Sequence, residues 1–288
     1  MMASMQWDTA DLELSAYLDR IGGSAEPPSL AALTRLQTAH VRTFPFENLD
    51  VLLEQHPGVA LGTVQDKFVR RRRGGYCFEH GTLFHAVLTR LGYQVEPRLA
   101  RVGHRHESPR THLVLVVLLE GRRYLCDPGI GIPPLAPIEL VDGATTEHGL
   151  WPHQIRRSDT EGAAGPAWEL WRKRGEDWEF MHTTDELPVR RVDVELGHHW
   201  TSTAPTTHFR SSVMLNRHGV DDDGTPTLLT VTLDTVTVGR AGAAPQPRPY
   251  ELSELPDLLR RAGAELSEGE TKLLTDRIAE LRSGLTQP

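Results

Sequence analysis

The stretch RRRRGGYCFEHG, residues 70 to 81, sets the first of only two cysteines directly after a Gly-Gly pair and at the front of a helical pattern. A thiol at a helix start meets unpaired backbone N–H groups and the positive end of the helix dipole, and both favour the thiolate. Gly74 and Gly75 allow a tight turn and a close approach of backbone to a ligand. The same placement suits a small hydrophobe that opens a core helix, so Cys77 is either a nucleophile or core packing. Cys126, in YLCDPG, alternates with Asp127 along a strand and points to the opposite face, which leaves it a core residue.

A nucleophilic thiol needs a base, and the base needs a group that orients it. With Glu120-Gly121 as a two-residue hairpin turn, Val114 stands across from Asp127. His112, two residues from Val114, shares that face. It becomes a diagonal neighbour of Asp127, at a Cβ separation of roughly 7–8 Å that an imidazole and a carboxylate can close.

The elements that must carry these residues follow from periodicity. TADLELSAYLDRIGG places Leu14, Tyr17, Leu18 and Ile21 at helical spacing and stops at Gly22-Gly23. PPSLAALTRLQTAHV opens with Pro28 and Ser29 as a second helix, and a third runs from Cys77 through Phe84, Val87, Leu88 and Leu91 to Gly92. Short strands follow at QVEPRLARV, HLVLVVLL, RRYLCD, AWELWRKR, WEFMHT and LLTVTLDTVTV. The tail returns to helix, with Leu258, Leu259, Leu274, Ile278 and Leu281 on its apolar faces. The expected class is α+β, in three units: a helical bundle over 1–92 with the nucleophile, an antiparallel β-barrel over 93–205 with the histidine and aspartate, and an α/β lid over 206–288.

Composition narrows the function. The chain has 288 residues, ample for a large core, and a formal net charge of −8, which argues against a nucleic-acid partner. No apolar run is long enough to span a bilayer, and no basic region precedes an apolar one near the N-terminus, so the cytoplasm is the expected compartment. Two cysteines outside any Cys-x-x-Cys pair make neither a disulfide scaffold nor a zinc site. GHRHE and GHH look like fragments of metal sites but lack spaced cysteine or acidic ligands, so no metal is expected. The substrate is expected to be a small molecule.

RRRGGYCFEH, TFPFENLD, THLVLVV and YLCDPGIG, in this order and spacing, resemble the hallmarks of the arylamine N-acetyltransferase family, and DVELGHHWTSTAPTTHF and the C-terminal helical pattern extend the likeness over nearly the whole chain. The resemblance implies the three-part architecture and a catalytic set in which Cys77 is the nucleophile, His112 the base and Asp127 the orienting carboxylate. It implies acetyl-CoA as acyl donor and ping-pong transfer through an acyl-cysteine to an aromatic amine or hydrazine, without a metal. It also implies Phe46, Tyr76, Gly129 and Ile130 as substrate-binding positions.

Two departures from the family pattern stand near the site. Gly81 replaces an asparagine, removing a side-chain amide, and Ile130 replaces an aromatic residue of the acceptor pocket. The second favours a bulkier acceptor or a longer acyl chain. Amide synthases that move a polyketide chain from an acyl carrier protein onto an amine are relatives with the same catalytic set, and form the alternative. A Cys-His-Asp hydrolase and a non-catalytic binding protein are the readings from other classes.

Arg70 to Arg73 read either as a site for CoA phosphates or an acidic carrier protein, or as a solvated helix end. His80 either tunes the nucleophile or is structural. Glu79 and Arg42 read as a buried ion pair that supports the site.

Overall fold

The computed structural model describes residues 7, 9–103, 107–158 and 166–284. His104 and His106 of GHRHE lie outside the described residues.

Apolar residues at helical spacing form the N-terminal part. Helix α1 (Leu14–Ile21) buries Tyr17, Leu18 and Ile21 and ends on Gly22 at φ 64°, a left-handed conformation open to glycine. Helix α2 (Leu30–Thr43) starts on Ser29, whose hydroxyl accepts the Ala32 N–H. After strand β1 (Phe46–Glu47) come the short α3 (Leu49–Leu52) and α4 (Leu61–Gln65), and α4 runs on through a wider π turn at Asp66–Arg70. Helix α5 (Cys77–Arg90) is buried from Cys77 to Leu88, so it is a central rod and not a surface helix.

Strands β2 (Gln94–Val102), β3 (His112–Leu119), β4 (Arg122–Cys126), β5 (Ile138–Glu139), β6 (Thr145–Thr146), β7 (His153–Ser158), β8 (Ala167–Arg174) and β9 (Asp177–Thr184) form one antiparallel sheet. Its order is β5-β4-β3-β2-β9-β8-β7-β6, and the edge strands β5 and β6 approach each other, nearly closing a barrel. Leu115, Val117 and Cys126 on the outer face pack on the helices. Ala100, Val114, Val116, Leu125, Ile155 and Leu170 fill the inside. The β3–β4 turn has Glu120 at φ 52° and Gly121 at φ 77°, the double positive φ of a two-residue hairpin turn, and it sets Leu115 opposite Cys126.

Helix α6 (Arg191–Thr203) follows, then β10 (Leu215–Val220), β11 (Pro226–Val231), β12 (Thr235–Arg240), β13 (Arg248–Pro249) and helices α7 (Leu255–Ala262) and α8 (Glu268–Ser283). The second sheet has the order β1-β10-β11-β12-β13, so a segment of the helical part is stitched to the C-terminal part. Leu258, Leu259, Leu274, Ile278 and Leu281 bury against this sheet's strands. LLTVTLDTVTV is a hairpin and not one strand, turning between Thr232 and Thr235. The fold is α+β, as the sequence pattern predicts. No described helix is long and apolar enough to cross a membrane.

Candidate active site

Backbone contacts fix where α5 begins. Gly75 donates its N–H to Pro45 and accepts from Glu47 N–H, a bridge to β1, while Tyr76 N–H donates to Glu79 Oε2 at 3.1 Å and so caps the helix. A Cβ on Gly74 would stand 1.8 Å from the Pro45 oxygen and one on Gly75 2.2 Å from Glu79 Oε2. The two glycines therefore allow the close approach of the Pro45 carbonyl and of the Glu79 carboxylate.

Glu79 is held by Lys67 and His56, and not by Arg42. Lys67 Nζ, aimed inward from the π turn, lies 2.8 Å from Glu79 Oε1 and 2.8 Å from Asp50 Oδ2, and His56 Nε2 lies 3.3 Å from Glu79 Oε2. Burial pushes the Glu79 carboxyl up, but Lys67 and His56 together hold it well below the usual carboxylate range. Arg73, fully buried, pairs with Glu47 at 3.0 Å and Asp50 at 2.9 Å. Arg70 pairs with Glu13 and Asp66, Arg71 with Glu270 and Arg72 with Glu265. The arginine run thus has a carboxylate at every position. Arg73 is buried, while the Arg70, Arg71 and Arg72 side chains lie on the surface.

Cys77 is the first residue of α5, 4 % exposed, with Sγ 3.6 Å from the Thr111 carbonyl. His112 begins β3, is buried, shares one cavity wall with Cys77 and places Nε2 2.9 Å from Asp127 Oδ2. Burial pulls the imidazole pKa down, but the charge of Asp127 and the hydrogen bonds to Asp127 and Cys77 outweigh it and raise the value to about 10. Asp127 has the converse balance: burial raises its pKa, and His112 and then His182 bring it well below the ordinary range. A carboxylate that stays ionised and an imidazole that stays protonated next to a thiol make a unit able to activate that thiol. Cys126 is fully buried in the helix-facing core, where burial and then Asp127 push its pKa up and keep it a thiol.

These groups open onto a cavity of about 430 Å³. Its walls include Phe46 from β1, Cys77 from α5, His112 from β3, Gly129 and Ile130 after β4, Trp200 from α6, and Phe209 and Met214 before and at the approach to β10. Tyr76, expected among the substrate-binding positions, does not line it. Its ring is fully buried and its hydroxyl hydrogen-bonds His198. Gly129 is a wall for a steric reason, since a Cβ there would meet Cys77 Cα at 2.8 Å. Its N–H is already donated to Asp127 Oδ1 at 3.2 Å. Gly81 has no room for an amide, because a Cβ would meet Leu113 Cδ2 at 2.6 Å. A second space of about 530 Å³ adjoins the first and shares Pro109, Thr111 and Trp200, with Leu187, Val189 and Leu196 as apolar walls.

His80 is structural. Its Nε2 donates to the Pro45 carbonyl at 3.3 Å, which leaves Nδ1 to accept from His40 Nε2 at 2.9 Å, and His40 Nδ1 then accepts from Tyr17 OH at 2.9 Å. Burial holds His80 at about 4, so the ring is neutral and both nitrogens are occupied away from Cys77.

His182 is a site residue that sequence reading missed. Its Nε2 lies 3.0 Å from Asp127 Oδ2, the oxygen that also serves His112. Nitrogen and oxygen atoms of His112, Asp127 and His182 lie within 4.8 Å of one another, a clustering also found at metal sites. Each Nε2 sits at hydrogen-bonding distance from the same carboxylate oxygen.

Comparison with known proteins shows the family and the fold. A profile of the N-acetyltransferase family matches residues 29–262. The arylamine N-acetyltransferase of Escherichia coli is 35% identical over 222 residues, covering 75% of this chain and 76% of that protein. The structure of the arylamine N-acetyltransferase from Mycobacterium abscessus superposes with a TM-score of 0.86 at 32% identity, covering 97% of this chain and 99% of that one. That of Mycobacterium marinum, solved in complex with CoA, gives 0.83 at 31% identity over 93% of this chain and 99% of its own.

Proposed function

Since the chain belongs to the arylamine N-acetyltransferase family and is an acyltransferase, we propose that it moves an acetyl group from acetyl-CoA to an aromatic amine or hydrazine through an acyl-cysteine on Cys77. The observation that carries this reading is the line Cys77, His112, Asp127, which ends at the wall of the 430 Å³ cavity. The CoA complex of the M. marinum relative supports the donor class.

In the first half-reaction the Cys77 thiolate attacks the thioester carbonyl. The tetrahedral oxyanion is met by backbone N–H groups at the start of α5, and the C–S bond to CoA breaks as His112 gives its proton to the leaving thiolate. In the second, an amine attacks the acyl-cysteine, His112 takes the amine proton, and Cys77 leaves as the thiolate. Asp127 keeps the imidazole in one tautomer and balances its charge in both.

Mass spectrometry of the intact protein after exposure to acetyl-CoA tests the reading. A stable acetyl adduct on Cys77 that an arylamine discharges supports the transferase. Fast loss of the adduct to water selects the hydrolase, and no adduct selects the carrier-protein donor or the binding protein.

Ile130 gives an acceptor prediction. It presents an aliphatic wall to the cavity, where a ring would add aromatic packing to a flat amine, about 0.5–1.5 kcal/mol beyond area burial. Ile130→Phe is therefore expected to raise kcat/KM for a small arylamine by about threefold to tenfold at saturating acetyl-CoA. An unchanged value would mean that Phe46, Phe209 and Trp200 already supply that packing.

A further inference from the structure

His182 lies fully buried on β9, and three features of its placement stand apart from ordinary core packing. First, pairing brings it to the catalytic face. Ala100 on β2 opposes His112 on one side and Thr184 on the other, and Val102, two residues on, opposes His182. Directly opposed residues share a face, as do residues two apart on one strand, so His112 and His182 project from the same side of the sheet with β2 between them.

Second, the strand is irregular at this point. Trp171 opposes Phe180, but Leu170 opposes His182, which leaves Met181 as the extra residue of a β-bulge. In a regular ladder Met181 would oppose Leu170 and His182 would turn to the other face. The extra residue is what turns the imidazole toward Asp127.

Third, the ring is committed to one contact. Burial holds its pKa down, against the pull of Asp127, so the neutral ring has one proton to give. The bond to a carboxylate fixes that proton on Nε2, and Nδ1 is then a buried acceptor with no partner among the described residues. A leucine would fill the space without leaving such a group unmet. The titratable groups acting on the ring are Asp127 and His112.

We propose that His182 is a positioning residue, whose Nε2–H fixes Asp127 Oδ2 as the acceptor against which His112 works. The inference rests on the catalytic roles given above to Cys77, His112 and Asp127. Without the second donor the carboxylate is held, among the described residues, by Gly129 N–H at the far oxygen and by His112 itself, so it can rotate and the imidazole loses its alignment toward Cys77.

Three variants test this: His182→Leu and His182→Met, which cannot donate, and His182→Gln, whose side-chain amide reaches about as far as Nε2 and can. The donor-less variants are expected to lose about 10-fold to 100-fold in kcat/KM, mostly in kcat, and His182→Gln to recover to within about threefold of wild type. Alkylation of Cys77 by iodoacetamide at neutral pH should follow the same order. A thermal melt identifies any variant that is not folded, and Met replaces Leu in the comparison if Leu is not. Donor-less variants at wild-type rates, or Gln as slow as Leu and Met, would overturn the proposal. If the wild type forms no acetyl-cysteine, the transferase reading fails, while the alkylation rates of the folded variants still decide the role of His182.

Discussion

Cys77→Ala is expected to abolish acyl transfer, by about 10⁵-fold or more, down to the spontaneous reaction between donor and amine. Among the described residues of the cavity wall, the hydroxyls of Ser108, Thr111, Thr201, Thr206 and Thr207 have no hydrogen bond to a histidine–aspartate pair, while the His112–Asp127 pair shares the wall with the thiol. Cys126→Ala separates nucleophilicity from the mere presence of a thiol. That sulfur is fully buried on the helix-facing side of β4 and burial keeps it protonated, so activity should stay within a few-fold of wild type. Steady-state rates with one arylamine and intact-mass spectra after acetyl-CoA measure both variants. An adduct that persists in Cys77→Ala and vanishes in Cys126→Ala would reverse the assignment.

The inward placement of Cys126 was legible from strand parity, and so was the meeting of His112 with Asp127. Both follow from one local event, the two-residue turn at Glu120 and Gly121, whose positive φ values keep the hairpin in register. His182 was not legible in the same way. Its approach depends on β9 lying next to β2, a pairing of distant segments, and on the extra residue Met181, which reverses the parity that alternation alone would assign. The partner of Glu79 was hidden for a related reason. Lys67 stands three residues before a run of arginines that invites a surface reading, and only the π turn brings its ammonium to the start of α5.

Helix α6 escaped the periodicity reading because Val192, Val194 and Gly197 are weak helix formers and His198 and His199 add nothing to an apolar stripe. Gly197 is there for packing: a Cβ would stand 2.7 Å from Phe78 Cζ, directly beneath the nucleophile's helix. The missed helix matters to the site. It brings Trp200 and Thr201 to the cavity and separates the 430 Å³ space from its apolar neighbour.

Asp127→Asn is expected to cost about 10⁴-fold in kcat while preserving the fold, the scale seen when the same change is made in a serine-protease triad. Three N–H donors converge on this carboxylate: His112 and His182 at Oδ2, and Gly129 at Oδ1. An asparagine has one acceptor oxygen. If that oxygen takes the Oδ2 place, the amide N–H₂ confronts Gly129 N–H; if it takes the Oδ1 place, the amide confronts both imidazoles and each must give up its Nε2 proton. The first arrangement keeps the tautomer but sets two N–H groups against each other at Gly129, and the second moves the His112 proton to the nitrogen that faces Cys77. The charge is lost as well. In the wild type burial lowers the His112 pKa and Asp127 more than reverses it, to about 10; with the carboxylate gone burial prevails, so the ring is neutral at pH 7 and no longer supports the thiolate. Iodoacetamide should therefore alkylate Cys77 more slowly near neutral pH in Asp127→Asn, and the rate should recover only as pH is raised. His112→Gln should show the same shift, because it removes the cation by another route. An alkylation profile that coincides with wild type in both variants would take His112 and Asp127 out of the catalytic set and leave Cys77 activated by the helix start alone.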